Sequence, residues 1–244
     1  MRLLGVVSYK GTNYAGWQKQ PNALGIQEVI EKELSKFFNT EITIFGAGRT
    51  DAGVHAYGQT FHFDVDVDVL DIDRLIYSLN KMLPDDIKII DMEEVEESFH
   101  ARYSAKGKIY SYTMLLESKD PFWYDKAYLV PKEFDKELFR EAMLRFVGKH
   151  NFKNFTSKEE DQDNFVREIF DIDIQIHDLL ILVSLHGNGF MRYMIRYLIG
   201  YALEIAYGRY ELESIDELLD ENSERQIVSS KAPACGLSLI SVEY

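Results

Sequence analysis

The chain has 244 residues, with 27 Lys and Arg against 41 Asp and Glu, giving a formal net charge of −14. Hydrophobic residues at 46% and charged residues at 28% describe a globular protein rather than a disordered one. A single cysteine excludes a disulfide framework and a thiolate cluster, the six histidines show no metal-ligand spacing, and no run approaches the ~18 apolar residues that span a bilayer. A cytoplasmic, metal-free protein is expected.

Residues 2–9 read as a first strand, too short an apolar stretch for a signal peptide. A polar and aromatic loop follows, Tyr9 to Gln20, in which Tyr14 and Trp17 are candidates to stack on bases and Lys10 and Lys19 to meet phosphates. From Ile26 to Phe38, apolar residues keep the helical period. Strands are expected over about 41–46 and 55–65. Asp71 then caps a helix that Pro84 stops, and a strand covers 86–95. This β-α-β-β-α-β order is the split βαβ, or ferredoxin-like, pattern.

The order recurs in the second half with unrelated sequence. A strand is expected over 105–116 and a helix over 133–147. Strands follow at 166–176 and 179–185, then a long helix from an Asn188 cap to Ala206. A short acidic helix over 212–221 and a last strand over 236–242 end the chain. The fold expected is α+β: two ferredoxin-like halves, 1–103 and 104–244, joining into one mostly antiparallel sheet with helices on one side and a central cleft. The acidic run Glu159 to Asp163 reads as a solvated excursion.

Between Ile42 and Phe63 the only carboxylate is Asp51. Gly46, Gly48 and Gly53 around it permit a tight turn and close approach of a ligand, and Arg49 offers a cation two residues away. A turn whose Asp caps its own backbone is the competing reading. Residues 1–27, 42–63, 98–116, 179–203 and 225–242 contain this one acid and eleven Lys and Arg, so the excess negative charge lies in the other segments. Such segregation suits a basic cleft on an acidic body and reopens nucleic acid as a partner.

From Ser98 to Leu116, rings and cations interleave without an acid, and Lys106, Lys108, Tyr110 and Tyr112 would share one strand face. The helix around 189–200 is apolar nearly all round yet carries Arg192 and Arg196 four apart. A buried guanidinium needs an anion; that helix supplies none before Glu204, which leaves Asp51 as the natural candidate. Asp64, Asp66 and Asp68 would place three carboxylates on one strand face, where an edge that resists aggregation is a simpler role than a metal site.

The run Gly46-Ala47-Gly48-Arg49-Thr50-Asp51-Ala52-Gly53-Val54-His55-Ala56 resembles the signature of the tRNA pseudouridine synthase A (TruA) family. So do the loop Tyr9 to Gln20, apart from Lys10 where the family has Asp, and Asn80 to Ile87. Phe99 to Arg102 with Lys108 to Tyr112, Phe190 to Gly200, and Ala232 to Leu237 resemble further family motifs. The resemblance implies an isomerase that makes pseudouridine from uridine at positions 38, 39 and 40 of the tRNA anticodon stem-loop. On it, Asp51 is the nucleophile, Tyr110 packs against the base and takes part in proton transfer, and Arg196 pairs with Asp51. Arg49 occupies the space of the flipped base. Trp17, His55 and Gln59 in the first half, with Arg102, Lys106, Lys108 and Leu237, are the other expected substrate contacts. Arg192 falls at a variable position, facing RNA or solvent. No cofactor is implied, and the family works as a homodimer on tRNA. The alternatives are a noncatalytic RNA-binding protein on the same halves and a metal-dependent transferase using Asp64, Asp66 and Asp68.

Overall fold

The computed structural model describes residues 1–116, 120–131, 133–157 and 164–244. In chain order the elements are β1 (Arg2–Tyr9), α1 (Ile26–Phe38), β2 (Phe45–Gly46), β3 (His55–Asp64), α2 (Ile72–Met82), β4 (Ile87–Val95), β5 (Gly107–Leu116) and β6 (Tyr128–Val130). Then come α3 (Lys136–Leu144), β7 (Gly148–Asn151), β8 (Val166–His177), β9 (Leu180–Gly187), α4 (Met194–Ala206), α5 (Ser214–Leu219) and β10 (Leu237–Glu243). The class is α+β, and most strand pairs are antiparallel. The acidic run 159–163 lies outside the described residues. The chain divides into two compact units, Met1–Lys108 with Ser238–Tyr244, and Ile109–Leu237.

In the first unit β1 is central, antiparallel to β3 on one side and β4 on the other, with Val6 opposite both Thr60 and Asp91. The helix α1 buries Ile26, Ile30 and Leu34, one residue per turn, and Asn39 ends it in a left-handed conformation (φ 50°). Asp71 caps α2 by accepting the Arg74 N–H, and Asn80 fastens that helix to β4 through both bonds to the Ile89 backbone.

The strand expected over 41–46 is only two residues long. Side chains of α1 take its backbone groups instead: Ser35 Oγ accepts the Ile42 N–H, the Glu31 carboxylate accepts the Ile44 N–H, and Gln27 donates to the Ile44 carbonyl. Because β2 covers β3 only at Phe61 and His62, the edge at the start of β3 is open to another strand. Ser238 and Leu239 of β10 pair there in parallel with His55 and Ala56. The last strand therefore lies in the first unit, not in the half 104–244 to which the sequence order assigned it.

In the second unit β8 lies between β7 and β9, antiparallel to both, and β6 runs parallel to β5 with Met114 opposite Tyr128. Asp135 caps α3 through the Glu137 and Leu138 N–H groups, and α3 packs on α4. The expected cap of α4 at Asn188 is not formed. Asn188 instead accepts the Glu168 N–H and extends the β8–β9 pairing, so α4 begins later, after Tyr193. The helix buries eleven of its thirteen residues, and Gly200 lets the backbone of Ser230 approach: a Cβ there would lie 2.5 Å from the Ser230 oxygen. Strands β6 and β7 carry little sequence signal because they are short and, in β7, largely polar.

His62 of β3 is 3% exposed, stacks on Phe45 and sits 4.6 Å from the His100 ring, while its Nδ1 accepts the Ala101 N–H. Burial first, then repulsion from His100 and Arg2, lowers its pKa from 6.5 to about 4. A histidine depressed in the fold is protonated first in the unfolded chain. The stability it contributes is present above its ordinary pKa and is lost as pH falls through the window down to about 4. The thermal midpoint should drop between pH 7 and pH 4.5. His62→Asn, which keeps an acceptor near Nδ1, should be less stable at pH 7 but show a smaller drop. Equal drops in the two proteins would assign the effect to other groups.

Candidate active site

Between β2 and β3 the segment from Ala47 to Val54 carries Asp51, and the backbone of Ala47, Gly48, Thr50, Asp51 and Val54 is hydrogen-bonded. The Ala47 N–H donates to Thr60 O (2.8 Å), and the Ala47 carbonyl accepts Lys108 Nζ (2.8 Å). Gly48 O accepts Gln59 Nε2 (3.0 Å), Thr50 O accepts the Trp17 N–H (3.1 Å), and Asp51 O accepts the Val54 N–H (3.1 Å). The Thr50 hydroxyl bonds the buried Tyr9 hydroxyl at 2.8 Å. Gly53 supplies the left-handed turn (φ 79°). Gly16, also left-handed at φ 93°, passes so near that a Cβ on it would lie 2.4 Å from Thr50 O. Asp51 is thus half-buried on a backbone clamped before and after it, which is how a reactive group is aimed.

Several expected substrate contacts turn out to build this loop. Trp17 is 3% exposed, packed between Tyr9 and Phe61, and its ring lies where a side chain on Gly46 would be. It offers no face to a base. Tyr14 is buried as well and donates its hydroxyl to Asp86. The buried His55 accepts the Gly11 N–H through Nδ1, and Gln59 is wholly buried beneath Gly48. Lys108 donates its ammonium to Ala47 O. Arg49, Arg102 and Lys106 are exposed, with Arg102 over the ring of Tyr103. The loop-building role of Tyr9, Trp17 and Gln59 is invisible along the chain, where the only signal is their place within the motifs.

In the second unit Tyr110 is buried on β5 with its ring edge-to-face on Phe190, 5.3 Å between centroids. Tyr112, two residues on, is fully buried and donates its hydroxyl to Pro233 O at 2.7 Å; burial raises its pKa well above the ordinary value. The expected shared face of 106, 108, 110 and 112 is therefore a solvent face only at its start. Arg196 is half-buried on α4, and its Nε donates to Ala232 O (2.8 Å) while the Ala232 N–H donates back to Arg196 O (2.9 Å). The Ala232 to Leu237 segment thus fixes the guanidinium, with Leu237 itself buried. Gly236 is needed there, since a Cβ would lie 2.7 Å from Thr113 O.

The acidic-strand alternative loses its geometry. β3 ends at Asp64, so Asp66 and Asp68 do not continue its face, and Arg2 grips both oxygens of Asp64 at 2.8 Å, lowering its pKa. Among the described residues no group of three or more His, Cys, Asp or Glu is placed to hold a metal ion, and no helix is long and apolar enough to cross a membrane.

Known proteins resemble the chain over its whole length. The model of the tRNA pseudouridine synthase family matches residues 6–104 and 142–244. Full-length relatives are similar: tRNA pseudouridine synthase A of Acetivibrio thermocellus is 37% identical over 98% of both chains. The enzyme of the same name from a Geobacillus species is 39% identical over all of this chain and 98% of its own. The one from Chlamydia pneumoniae is 38% identical over 98% of this chain and 90% of its own. The chain belongs to the tRNA pseudouridine synthase family.

If Gln59 holds the loop, Gln59→Leu leaves Gly48 O without its buried donor. Urea denaturation should show a loss of about 1–3 kcal/mol with an unchanged slope. No loss of stability would mean the loop does not depend on that bond.

Proposed function

We propose that this chain isomerises uridine to pseudouridine in tRNA, at positions 38, 39 and 40 of the anticodon stem-loop, by covalent catalysis from Asp51. The observation that carries the reading is Asp51 itself, the one carboxylate from Ile42 to Phe63, set on a loop whose backbone bonds hold it on both sides. Its motif and its full-length relatives support the substrate. Asp51 adds to the target nucleoside, the bond from N1 to C1′ breaks, and the uracil turns. C5 then bonds to C1′ and gives up its proton while N1 takes one up, and the carboxylate is released. Atoms are conserved throughout, so no cofactor is required.

A carboxylate attacks only when ionised, and we assign Arg196 as its counter-charge, already oriented by Ala232. Tyr110 packs against the base and takes part in moving the C5 proton. Arg49, exposed beside the nucleophile, fills the space that the flipped nucleotide leaves. Arg102 and Lys106 meet phosphates. By family resemblance the working form is a cytoplasmic homodimer sharing tRNA between subunits.

Tritium release from tRNA labelled at uridine C5 tests the reaction. Release should persist in EDTA and vanish in Asp51→Asn, which should still fold and bind tRNA. Binding without release by the native chain would leave a noncatalytic RNA-binding protein, and turnover by homogeneous Asp51→Asn would remove Asp51 from the nucleophile's role. Arg196→Met should lower kcat by orders of magnitude, on the scale of removing one catalytic electrostatic partner, roughly 3 kcal/mol. Arg196→Lys should recover part, because an ammonium cannot reproduce the two-point grip of a guanidinium. Full recovery by lysine would show that charge alone suffices.

A further inference from the structure

Tyr193, the residue before α4, holds a left-handed backbone at φ 62°, a conformation strained for a side chain of its size. Its ring is a meeting point for cations. Lys231 Nζ lies 4.0 Å from the ring centroid, the Arg192 guanidinium carbon 4.8 Å and that of Arg196 5.3 Å; Arg192 also donates to the Tyr193 hydroxyl (3.0 Å). Arg196 donates its Nε to Ala232 O. Arg192 and Lys231 are exposed, and among the described residues neither is ion-paired with a carboxylate.

A ring face attracts each cation, yet two exposed cations on one ring repel each other within a screening length of about 8 Å. The segments that carry them, 179–203 and 225–242, contain no Asp or Glu to offset that repulsion. An anion of about the size of a phosphate, lying against both, removes it. Stacking on the ring also restricts the two side chains beforehand, so less freedom is lost when the anion binds.

We propose that Arg192 and Lys231, gathered on Tyr193, form a subsite for one phosphodiester group of the tRNA backbone. This rests on the tRNA substrate assigned above and adds to it. Arg192 and Lys231 have no part in the reaction assigned above, so the subsite adds to the catalytic set rather than repeating it. The interaction positions the RNA and reads no base.

The test measures tRNA affinity from low to high salt alongside pseudouridine formation. Arg192→Gln and Lys231→Gln should each weaken binding roughly three- to tenfold and flatten log affinity against log salt by about 0.7–0.9 for each phosphate left unneutralised. KM should rise more than kcat falls. Arg192→Lys and Lys231→Arg should keep the slope, which a purely structural role would not require, and Tyr193→Leu should weaken binding while keeping much of the slope. If both glutamine variants match the native affinity and slope while the native protein makes pseudouridine, the subsite is overturned and the tRNA reading stands. If the native protein neither binds tRNA nor makes pseudouridine, that reading falls and takes the subsite with it. If inorganic phosphate, compared with chloride at equal ionic strength, raises the native thermal midpoint through these two cations but tRNA affinity ignores them, the site takes a free anion and the tRNA assignment is overturned.

Discussion

A carboxylate on a glycine-rich turn has no intrinsic aim, because the residues that let the backbone turn also let it move. Everything in the first unit answers that problem. Gln59 and Lys108 hold the carbonyls of Gly48 and Ala47, Trp17 and Tyr9 hold Thr50, and Thr60 holds the Ala47 amide. These anchors come from β1, β3 and β5 and from the loop after β1, so the position of Asp51 depends on the register of several strands at once. A slip of β3 by one residue would turn Gln59 away from Gly48 and release the loop.

The second unit treats its arginine in the same way. A guanidinium on a helix that buries nearly all its residues is costly to leave loose, and the bond from Arg196 Nε to Ala232 O orients it at little further cost. Tyr112 secures Pro233, and Gly236 lets the chain pass against β5, so the loop that grips the arginine is itself gripped. Both units therefore use buried polar bonds, rather than apolar packing alone, to present a charged side chain.

Charge follows the same division of labour. The acid-poor segments carry the cations that line the Tyr193 ring, and most carboxylates lie elsewhere along the chain. The buried acids of α1 are employed: Glu31 receives the Ile44 amide, Gln27 and Lys19, and Glu33 pairs with Lys36.

The sequence by itself determined the elements whose signal is local. α1 falls on the expected residues because its apolar period is unbroken, Asp71 caps α2 because an Asp at that position can reach the free N–H groups, and the isolation of Asp51 is visible in composition alone. What the tertiary structure decided is where long-range partners override such signals. The segment 42–44 reads as strand but bonds to side chains of α1, Asn188 reads as a helix cap but bonds to β8, and β10 joins the unit where an edge of β3 is open. Trp17 and His55 read as ligand contacts because aromatic and imidazole groups serve both binding and packing. Only the neighbours they meet in space made Trp17 a support of the Asp51 loop and His55 a partner of Gly11. The gathering of Arg192 and Lys231 on one tyrosine was likewise beyond any reading along the chain, since residues so far apart in sequence meet only through the fold.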